Sequence, residues 1–410
     1  MSEVQEIKEG YKESPLGLIP EDWEVDELGN RLNKIVGGGT PTRGNAAYWI
    51  NDIPWATVKD LKKERISHVE EYISKEGLNQ SASNLIEKGT LIIATRMALG
   101  KAVFFEMDVA INQDLKAIYP DPSIGNEFLR YWFYSQVTKI QELGSGSTVK
   151  GIRLEVLRKL QLIVPPLPEQ KIIADILTAV DDKIEAIDQR IKATQTLKKG
   201  LMQRLLTKGI NHTEFKDSPL AEIPKSWEVL CIDDACEIHN NLREPISAEM
   251  RKGMQGEYPY YGPTKAVDYI NKYSLEGDYV LIGEDGDHFL KFKTWSMTQL
   301  VSGKFNVNNH AHILKGTSIC LTEWIHFYFQ HRDLFNFLTR QGAGRYKLTK
   351  ASLLKIMLAI PPVSEQKQIA EILTSVDDKL DALREKKSTY QELKKGLMQQ
   401  LLTGKKRVKI

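Results

Sequence analysis

The residues that could ligate a metal ion or act as nucleophiles are few and widely spaced. His310 and His312 stand two residues apart and would share one face of a strand, but no third ligand follows at a defined spacing. Cys231 and Cys236 lack the second pair that a zinc site needs. We therefore predict no bound metal, and we interpret the histidines as a polar strand face and the cysteines as core or surface thiols.

Motifs that bind nucleotides or perform catalysis are absent from the sequence. There is no GxxxxGK[ST] loop, no HExxH or GxSxG motif, and no third glycine at dinucleotide spacing after any Gly-x-Gly pair. The Pro-Pro pairs follow Val164 and Ile360, whereas an amino-methyltransferase needs Asn or Asp there to hold an adenine amino group. We predict that the chain has no catalytic residues and no cofactor of its own.

The composition is that of a globular protein. The 410 residues are 41% hydrophobic and 27% charged, and 56 Lys and Arg balance 54 Asp and Glu. Because the formal net charge is only +2, any surface that attracts a polyanion must be local. Three scattered cysteines fit a reducing compartment, and the sequence has neither a signal peptide nor a membrane-spanning run. We expect a cytoplasmic protein of two to four domains.

The chain repeats itself with an offset of 196 residues. Segments 169–207 and 365–403 are identical at 24 of 39 aligned positions. The same offset relates Asn112 to Asn308, and a slightly longer one relates SPLGLIPEDWEV to SPLAEIPKSWEV. The repeating unit is therefore a half-chain of about 200 residues, which excludes a solenoid of short modules.

Each half combines a domain of mixed character with one long helix. Short β-rich runs (TLIIATR, VAIN, YVLIG, HAHIL) alternate with Gly, Pro and Asn turns, and aromatic-rich helical stretches follow near 126–142 and 322–340. Apolar residues then recur at three- and four-residue steps within 169–206 and 365–402, which is typical of a coiled-coil seam. We predict domains at residues 1–166 and 210–362, helical regions at 167–209 and 363–405, and a basic tail at 406–410.

The order of these parts predicts an antiparallel helix pair. The first helix leads from domain one to domain two and the second begins at domain two, so pairing of the seams requires the second helix to run back. The predicted fold class is α+β: two similar globular mixed α/β domains at opposite ends of a long antiparallel two-helix coiled coil, related by a pseudo-two-fold internal repeat.

Two similar domains at a fixed separation are suited to bind two sites on a regular polymer. Duplex DNA has its own two-fold symmetry, so a protein with internal two-fold symmetry can place one domain on each half-site. Because the domains differ in sequence, they would recognise different short base sequences, here called words. The target would then be bipartite and asymmetric. A dumbbell adaptor that binds protein or glycan ligands without nucleic acid is the alternative.

Several motifs resemble those of one protein family. LIPEDWEV, VGGGTPTRG, PPLPEQ with PPVSEQ, and the doubled ILTxVDDK and LKKGLMQxLLT are similar to the specificity subunit of type I restriction–modification enzymes, over nearly the whole chain. The resemblance implies two target-recognition domains in a non-catalytic subunit. That subunit would bind double-stranded DNA, two adenine-N6 methyltransferase subunits and, for restriction, motor-nuclease subunits. S-adenosylmethionine, ATP and Mg²⁺ would then belong to those partners.

Polar and basic loop residues are the candidates for DNA contacts, because Lys, Arg and backbone N–H groups bind phosphates and Arg, Asn and Gln bind base edges. The aromatic stretches 128–134 and 324–329 are instead interpreted as core, because their spacing is helical. In domain one we select Gly38, Gly39, Thr40, Arg43, Arg96, Lys101, Asn112, Gln113, Ser145, Thr148 and Lys150. In domain two we select Lys265, Lys291, Lys293, Asn308, Asn309, His310, Arg345, Tyr346 and Lys347.

Repeated polar side chains on the two helices are the candidates for contacts with protein partners. A solvated charged face is the simpler interpretation, but exact repetition on outward faces fits two copies of one partner at two-fold-related sites. By resemblance, that partner is the methyltransferase subunit. The selected residues are Glu169, Gln170, Asp181, Asp182, Lys183, Lys198, Glu365, Gln366, Asp377, Asp378, Lys379 and Lys394.

Overall fold

A computed structural model of the chain describes residues 9–146, 150–341 and 345–409. The chain divides into two compact units. The first unit comprises Met1–Asp188 and Lys386–Ile410, and the second comprises Gln189–Glu385. Each unit therefore contains a globular part and one portion of each long helix. Among the described residues, no helix is long and apolar enough to cross a membrane.

The globular part of the first unit is built from short strands and four short helices. Its strands are β1 (Tyr11–Lys12), β2 (Ile19–Pro20), β3 (Glu24–Glu27), β4 (Leu32–Gly37), β5 (Ile53–Ala56), β6 (Arg65–Ile66), β7 (Glu71–Ile73), β8 (Asn84–Ile86), β9 (Leu91–Ala94), β10 (Ala102–Phe105), β11 (Val109–Ile111), β12 (Leu115–Pro120) and β13 (Gln161–Val164). Its helices are α1 (Lys75–Asn79), α2 (Asn126–Ser135), α3 (Val137–Leu143) and α4 (Leu154–Arg158), and the long helix α5 (Leu167–Lys208) follows.

The two larger sheets of the first unit have the strand orders β4-β12-β9-β10-β6 and β7-β5-β11-β8, and β1-β2 and β13-β3 form two-stranded sheets. Successive strand residues point to opposite faces, so a strand of the larger sheet can contribute side chains to two hydrophobic cores. Leu91 and Ile93 join the core that contains Phe128 of α2. Ile92 joins the core that contains Ile111 of the smaller sheet. The larger sheet is therefore covered on both faces, by helices on one and by the smaller sheet on the other.

The second unit repeats this plan. Its strands are β14 (Phe215–Lys216), β15 (Ile223–Pro224), β16 (Glu228–Cys231), β17 (Glu237–Ile238), β18 (Gln255–Tyr261), β19 (Ala266–Ile270), β20 (Leu275–Glu276), β21 (Tyr279–Gly283), β22 (Thr298–Val301), β23 (Lys304–Val307), β24 (Ala311–Lys315), β25 (Thr339–Gln341), β26 (Arg345–Lys347) and β27 (Met357–Ile360). Its helices are α6 (Ile232–Ala235), α7 (Ala248–Lys252), α8 (Thr322–Phe329) and α9 (Lys350–Leu354), and the long helix α10 (Val363–Leu401) follows.

The two larger sheets of the second unit have the orders β17-β24-β21-β22 and β19-β18-β23-β20, and β14-β15, β16-β27 and β25-β26 form two-stranded sheets. Val280 and Ile282 of β21 pack with Trp324 of α8. Leu281, which lies between them, packs with Phe305 of the other sheet. The prediction of two similar mixed α/β domains is thus confirmed.

The long helices end at Lys208 and Leu401, and they pair in opposite directions. Gly209 and Gly404 follow the two helices with φ of 63° and 71°, the left-handed conformation that ends many helices. Within the first unit, ion pairs join Asp181 to Lys394 and Asp188 to Lys387. As residue numbers rise along α5 they fall along α10, so the antiparallel pairing is confirmed there.

One helix prediction is wrong at its end. The stretch near 126–142 is helical as α2 and α3, but the stretch near 322–340 is α-helical only to Phe329 in α8, with a short 3-10 turn at Phe335–Phe337. Residues Thr339–Gln341 form β25 instead, because their backbone pairs with β26 in a hairpin. Local aromatic content favoured a helix, and strand pairing overrode it.

The Glu-Gln pair at the start of each long helix is buried, so the expectation of an outward face is wrong for these residues. Glu169 and Gln170 are at most 1% exposed, Gln366 is fully buried, and Glu365 is 9% exposed. The reason is that their side chains satisfy polar groups of the adjacent domain, which covers the start of each helix. Their proposed contacts with a partner stay a prediction.

The buried glutamines hold a loop of each domain against the start of a long helix. Gln170 Nε2 donates to the carbonyl oxygens of Ser123 and Pro165, both at 2.8 Å. Gln170 Oε1 accepts from the Gly125 backbone N–H at 2.8 Å. Gln366 makes the equivalent three bonds in the second unit. These bonds fix where each domain meets its helix.

Candidate nucleic-acid interface

In the first unit, the loops that carry most of the selected residues leave the sheets at one edge. Strands β4 and β9 end at that edge and β12 begins there, because Lys116 pairs with Gly37 and Leu115 pairs with Ala94. Strands β5 and β11 are parallel and end together nearby. The sheet topology therefore brings together segments 38–43, 95–101 and 112–114.

The glycine-rich loop lies directly on the sheet edge. A Cβ on Gly38 would stand 1.9 Å from the carbonyl oxygen of Ile111, so only glycine fits there. The Gly39 backbone N–H donates to the same oxygen at 3.1 Å. Thr40 Oγ1 then donates to Gln113 Oε1 at 2.7 Å. The structure thus places four of the selected residues, Gly38, Gly39, Thr40 and Gln113, side by side.

Arg43 is exposed at the end of this loop and is held by two neighbours. Its guanidinium carbon lies 3.7 Å from the centre of the Trp49 ring. It also forms a bidentate ion pair with Glu71. The hydrogen bond from Arg43 lowers the pKa of the Glu71 carboxyl, so the pair is charged at neutral pH. The guanidinium lies over the Trp49 ring. It would have to break its ion pair with Glu71 before it could bind a phosphate or a guanine.

Two further selected residues of the first unit, Ser145 and Lys150, lie beside Arg96. Its backbone pairs with Gly151, and Ser145 and Gly151 exchange two backbone hydrogen bonds of 2.9 Å. The N–H of the next residue, Met97, donates to the Lys150 carbonyl at 3.1 Å. Arg96, Ser145 and Lys150 therefore lie together. The selected Thr148 lies outside the described residues.

Two selections in the first unit have their polar groups engaged within the protein. Asn112 is 5% exposed, and its side chain donates to Asp114 Oδ2 and accepts from the Asp114 backbone N–H, both at 3.1 Å. It therefore shapes the turn between β11 and β12. Lys101 is exposed, but its ammonium donates to the Leu61 carbonyl at 2.7 Å. DNA contacts by both residues stay predictions.

The second unit presents the same edge with different side chains. Strand β21 ends and β24 begins there, because Gly283 pairs with Ala311. Strands β18 and β23 are parallel and end together, with Tyr261 beside Val307. The turns at 262–265 and 308–310 and the segment after β21 therefore share one edge, and the bridge between Asp285 and Lys347 brings β26 to it.

Glu284 is the centre of the charged groups at this edge. It forms ion pairs with Arg243 and with Lys347, the latter at 3.2 Å between Nζ and Oε1. Burial alone would raise the pKa of the Glu284 carboxyl, but the hydrogen bonds from Arg243 and Lys347 hold it below its usual range. Glu284 is therefore ionised at neutral pH and offsets part of the charge of both cations.

The neighbouring residues complete the site in the second unit. Asp285 Oδ2 lies 2.8 Å from His310 Nδ1. Asn308 Oδ1 accepts from the His310 backbone N–H at 2.8 Å, and the Asn309 carbonyl accepts from Arg243. The structure thus brings Asn308, Asn309, His310 and Lys347 together.

The other selections in the second unit lie on turns and on the hairpin. Lys265 is exposed in a turn closed by the Gly262 N–H and the Lys265 carbonyl. Lys291 Nζ lies over Trp295, 5.4 Å from the ring centre, and Lys293 Nζ lies 5.8 Å from the centre of the Phe292 ring. The hairpin residue Arg345 is exposed and Tyr346 packs against Phe335. The structure shows no contact that joins Lys291 or Lys293 to the Glu284 group within the described residues.

Sequence reasoning missed Arg243, Glu284, Asp285 and Asp114. The acids were overlooked because a partner with many phosphates directs attention to cations alone. Arg243 has no glycine-rich motif around it. The residue after it, Glu244, nevertheless occupies the backbone position that Gly39 has in the first unit. The repeat offset that relates Asn112 to Asn308 was the available signal for Asp114. The same offset makes Asp114 the repeat equivalent of His310, which had been selected.

The helix residues selected as partner contacts divide into three groups. The Glu-Gln pairs are buried, as described above. Asp181, Lys198, Asp377 and Lys394 are half-buried and form the ion pairs Asp181–Lys394 and Lys198–Asp377, the latter with 2.7 Å between Lys198 Nζ and Asp377 Oδ1. The exposed members are Asp182, Lys183, Asp378 and Lys379.

Solved structures share this fold. The S subunit of a type I restriction–modification system from M. genitalium matches with a TM-score of 0.62 at 15% identity, over 92% of this chain and 96% of that one. A second solved chain, from work on complex assembly and conformational transition of the type I R-M system, matches with a TM-score of 0.55 at 16% identity. It covers 94% of this chain and 99% of its own.

Curated relatives match along the sequence. The type I restriction enzyme MjaIX specificity subunit of Methanocaldococcus jannaschii is 24% identical over 431 aligned residues, covering 97% of this chain and 96% of the relative. The EcoR124I/EcoR124II specificity subunit of Escherichia coli is 27% identical over 186 residues, covering 44% of this chain and 46% of the relative. The resemblance inferred from the repeated motifs is therefore confirmed.

The sequence profile of one family matches the chain twice, at residues 20–195 and 224–394. Each match begins in a globular part and continues into the long helix that follows it. Because the two matches take in most of the 410 residues, the chain belongs to the family of the type I restriction modification DNA specificity domain.

Proposed function

We propose that this chain is the DNA-recognition subunit of a type I restriction–modification system and that it acts in the cytoplasm. It reads a bipartite, asymmetric target in double-stranded DNA, with one half-site for each domain. The observation that carries the proposal is the repeated sheet edge, where each unit gathers cations and hydrogen-bond donors on loops. Such loops can bind phosphates and base edges, and different side chains at the two edges would read different words.

Catalysis belongs to the partners in this proposal. The chain lacks the motifs that bind S-adenosylmethionine or ATP, and we assign those cofactors and Mg²⁺ to methyltransferase and motor-nuclease subunits. The expected result is that the purified chain neither methylates nor cuts DNA when all three are supplied. Turnover that a point mutation in this chain abolishes would contradict it.

Exposed leucines on the long helices support docking of two copies of one protein partner. Leu197 and Leu393, which are related by the repeat offset, are 53% and 47% exposed. A single exposed leucine is ordinary on a protein surface, but its recurrence at both repeat positions fits a surface that one partner covers twice. The proposed occupants are two adenine-N6 methyltransferase subunits, and restriction would add the motor-nuclease subunits.

Docking can be tested by the stoichiometry of the assembled complex. Leu197→Arg and Leu393→Arg should each lose one methyltransferase subunit, and the double variant should lose both. Gln195→Arg, an exposed neighbour on the same helix, is the matched control. Full stoichiometry in both leucine variants would remove these positions from the partner surface.

DNA recognition can be tested by selection from a random duplex library with the full chain. We expect two short words separated by a constant gap, and binding that weakens steeply with salt because phosphate contacts release counterions. Replacing residues 1–166 by the equivalent domain of a relative should change one word and leave the other intact. Absence of salt-sensitive binding would favour the adaptor without nucleic acid.

A further inference from the structure

The sheet edges of the two units can be aligned through their backbone hydrogen bonds. In the first unit the Thr95 N–H donates to the Asp114 carbonyl at 2.9 Å. In the second unit the Glu284 N–H donates to the His310 carbonyl at 2.7 Å. Asp114 and His310 are also related by the repeat offset of 196. Thr95 therefore corresponds to Glu284, and Asp114 corresponds to His310.

The next residue along each strand is held in an equivalent bridge. Arg96 forms an isolated antiparallel bridge with Gly151, and Asp285 forms one with Lys347. Gly151 and Lys347 are again 196 residues apart. Arg96 and Asp285 thus occupy the same position in the two units, although the repeat is not visible in the sequence around them.

The two positions carry opposite charge, and so do their partners. In the first unit Arg96 Nη1 lies 3.5 Å from Asp114 Oδ1. In the second unit Asp285 Oδ2 lies 2.8 Å from His310 Nδ1. At equivalent positions, the first unit therefore has a cation with an acidic partner, and the second unit has an acid with a histidine partner.

This exchange reverses the hydrogen-bonding character of the edge. The Arg96 side chain is 49% exposed and offers only N–H donors, in the fork that fits the O6 and N7 acceptors of guanine. The Asp285 side chain is 29% exposed and offers only acceptors. When neutral His310 donates from Nδ1 to Asp285, its Nε2 is also left as an acceptor.

The surroundings allow a carboxylate at this place. Arg243 and Lys347 lie on the same edge and are both paired with Glu284. Their charge reduces the repulsion that Asp285 would exert on DNA phosphates. The two cations balance the charges of Glu284 and Asp285, so a base edge that donates a hydrogen bond can be read here without a net negative charge that would repel the phosphates.

We infer that Arg96 and Asp285 are equivalent specificity-determining residues of opposite polarity. Arg96 reads the acceptor edge of a guanine, and Asp285 reads an exocyclic amino group in the major groove, on cytosine N4 or adenine N6. The inference rests on the proposed function, since it assigns base contacts within it. It gives a physical reason why two domains of one fold read different words.

The experiment combines alanine variants with modified bases in the full chain. Selection from a random library first gives the two words of the wild type, and Arg96→Ala and Asp285→Ala then identify the position that each residue reads. Each variant should lose discrimination at one position of one half-site only, by roughly 5- to 150-fold. Asp287→Ala, an exposed acid two residues away, should leave both words unchanged.

Modified duplexes then distinguish the chemistry at each identified position. The position read by Arg96 should lose affinity when 7-deazaguanine removes the N7 acceptor. The position read by Asp285 should lose affinity with N4-methylcytosine or N6-methyladenine, in which a methyl group blocks the major-groove amino hydrogen. Sensitivity to one of these two bases identifies whether cytosine or adenine is read.

The outcomes separate this inference from the proposed function. If the wild type selects two words but Asp285→Ala relaxes neither, or relaxes a position that tolerates amino methylation, the inference is overturned alone. The same holds for Arg96→Ala and 7-deazaguanine. If the wild type selects no word at all, the proposed function fails and the inference fails with it.

Discussion

The indole Nε1 of Trp227 donates a hydrogen bond of 3.0 Å to Glu365 Oε2. Trp23 makes the repeated bond to Glu169, at 3.2 Å. Both tryptophans are fully buried, so each carboxylate ties the core of a domain to the first turn of a long helix. In the second unit His212 Nε2 also contacts Glu365, at 2.9 Å. The position of each domain on its helix is therefore set by buried polar contacts as well as by apolar packing.

Removal of the buried glutamine beside this contact should destabilise the second unit. Gln366→Ala would leave the Leu321 N–H and the carbonyls of Ile319 and Pro361 without their bonds. Each buried group left unsatisfied costs about 1–3 kcal/mol, and partial access of water reduces the total, so we expect a loss of about 2–4 kcal/mol. Urea unfolding measures it.

Gln368→Ala is the matched control, because Gln368 is exposed two residues further along the same helix. Its effect should stay within about 0.5 kcal/mol. Equal effects of the two substitutions would mean that the buried bonds do not stabilise the junction.

The long helices and the main strands could be predicted because their signals are local. The three- and four-residue spacing of apolar residues indicated both helices. The burial of Glu169 could not be predicted in this way, because it depends on a domain that folds back over the helix start. A polar residue near a helix start looks the same in sequence whether it is solvated or buried.

The candidate site was only partly predictable for a related reason. Gly38 was selected because it lies in a glycine-rich loop, whose backbone N–H groups could bind phosphates. Its counterpart in the second unit, Arg243, is recognised only through backbone bonds: the next residues, Gly39 and Glu244, donate to Ile111 and to its repeat equivalent in β23. Recognition loops diverge in sequence while their backbone positions persist, so side-chain pattern alone does not align them.

Neutralising Glu284 should strengthen DNA binding that does not depend on sequence. Glu284 holds Arg243 and Lys347 and competes with phosphates for both. Glu284→Gln keeps the shape and removes the competing charge, so we expect higher affinity for random duplex. If one more phosphate is engaged, the salt dependence should steepen by about one unit.

The control for this prediction is Glu249→Gln, which removes the same charge from an exposed position on α7. It should change affinity much less, because its carboxylate is not paired with the cations of the edge in the described structure. An unchanged salt slope for Glu284→Gln would show that releasing Arg243 and Lys347 from Glu284 engages no further phosphate.

Acid should destabilise the second unit through His326. Burial lowers the pKa of this imidazole to about 4, from an ordinary value of about 6.5. His326 Nδ1 lies 3.0 Å from Thr298 Oγ1. The Gln330 amide nitrogen lies 3.3 Å from His326 Nε2 and can donate a hydrogen bond to it while the ring is neutral. Gln330 in turn accepts from Lys198 on α5, so a protonated ring would break a network that reaches the long helix.

The direction of the pH dependence follows from the lowered pKa. Above pH 6.5 neither state binds the proton, and the neutral ring keeps its full contribution to stability. Between pH 6.5 and 4 the unfolded chain is protonated and the folded chain is not, so the free energy of unfolding falls as pH falls, by about 1.4 kcal/mol per pH unit. At pH 5 the loss due to His326 should be about 2 kcal/mol.

The measurement is urea unfolding at pH 7 and pH 5 for the wild type and His326→Gln, in which the amide keeps a donor and an acceptor but does not titrate. The variant should lose about 2 kcal/mol less than the wild type between the two pH values, because only the His326 share of the acid sensitivity is removed. His68→Gln, at an exposed position in the first unit, should leave the wild-type difference unchanged. If His326→Gln and the wild type respond equally to acid, the imidazole is not held neutral by the fold and the network to Lys198 does not depend on its protonation.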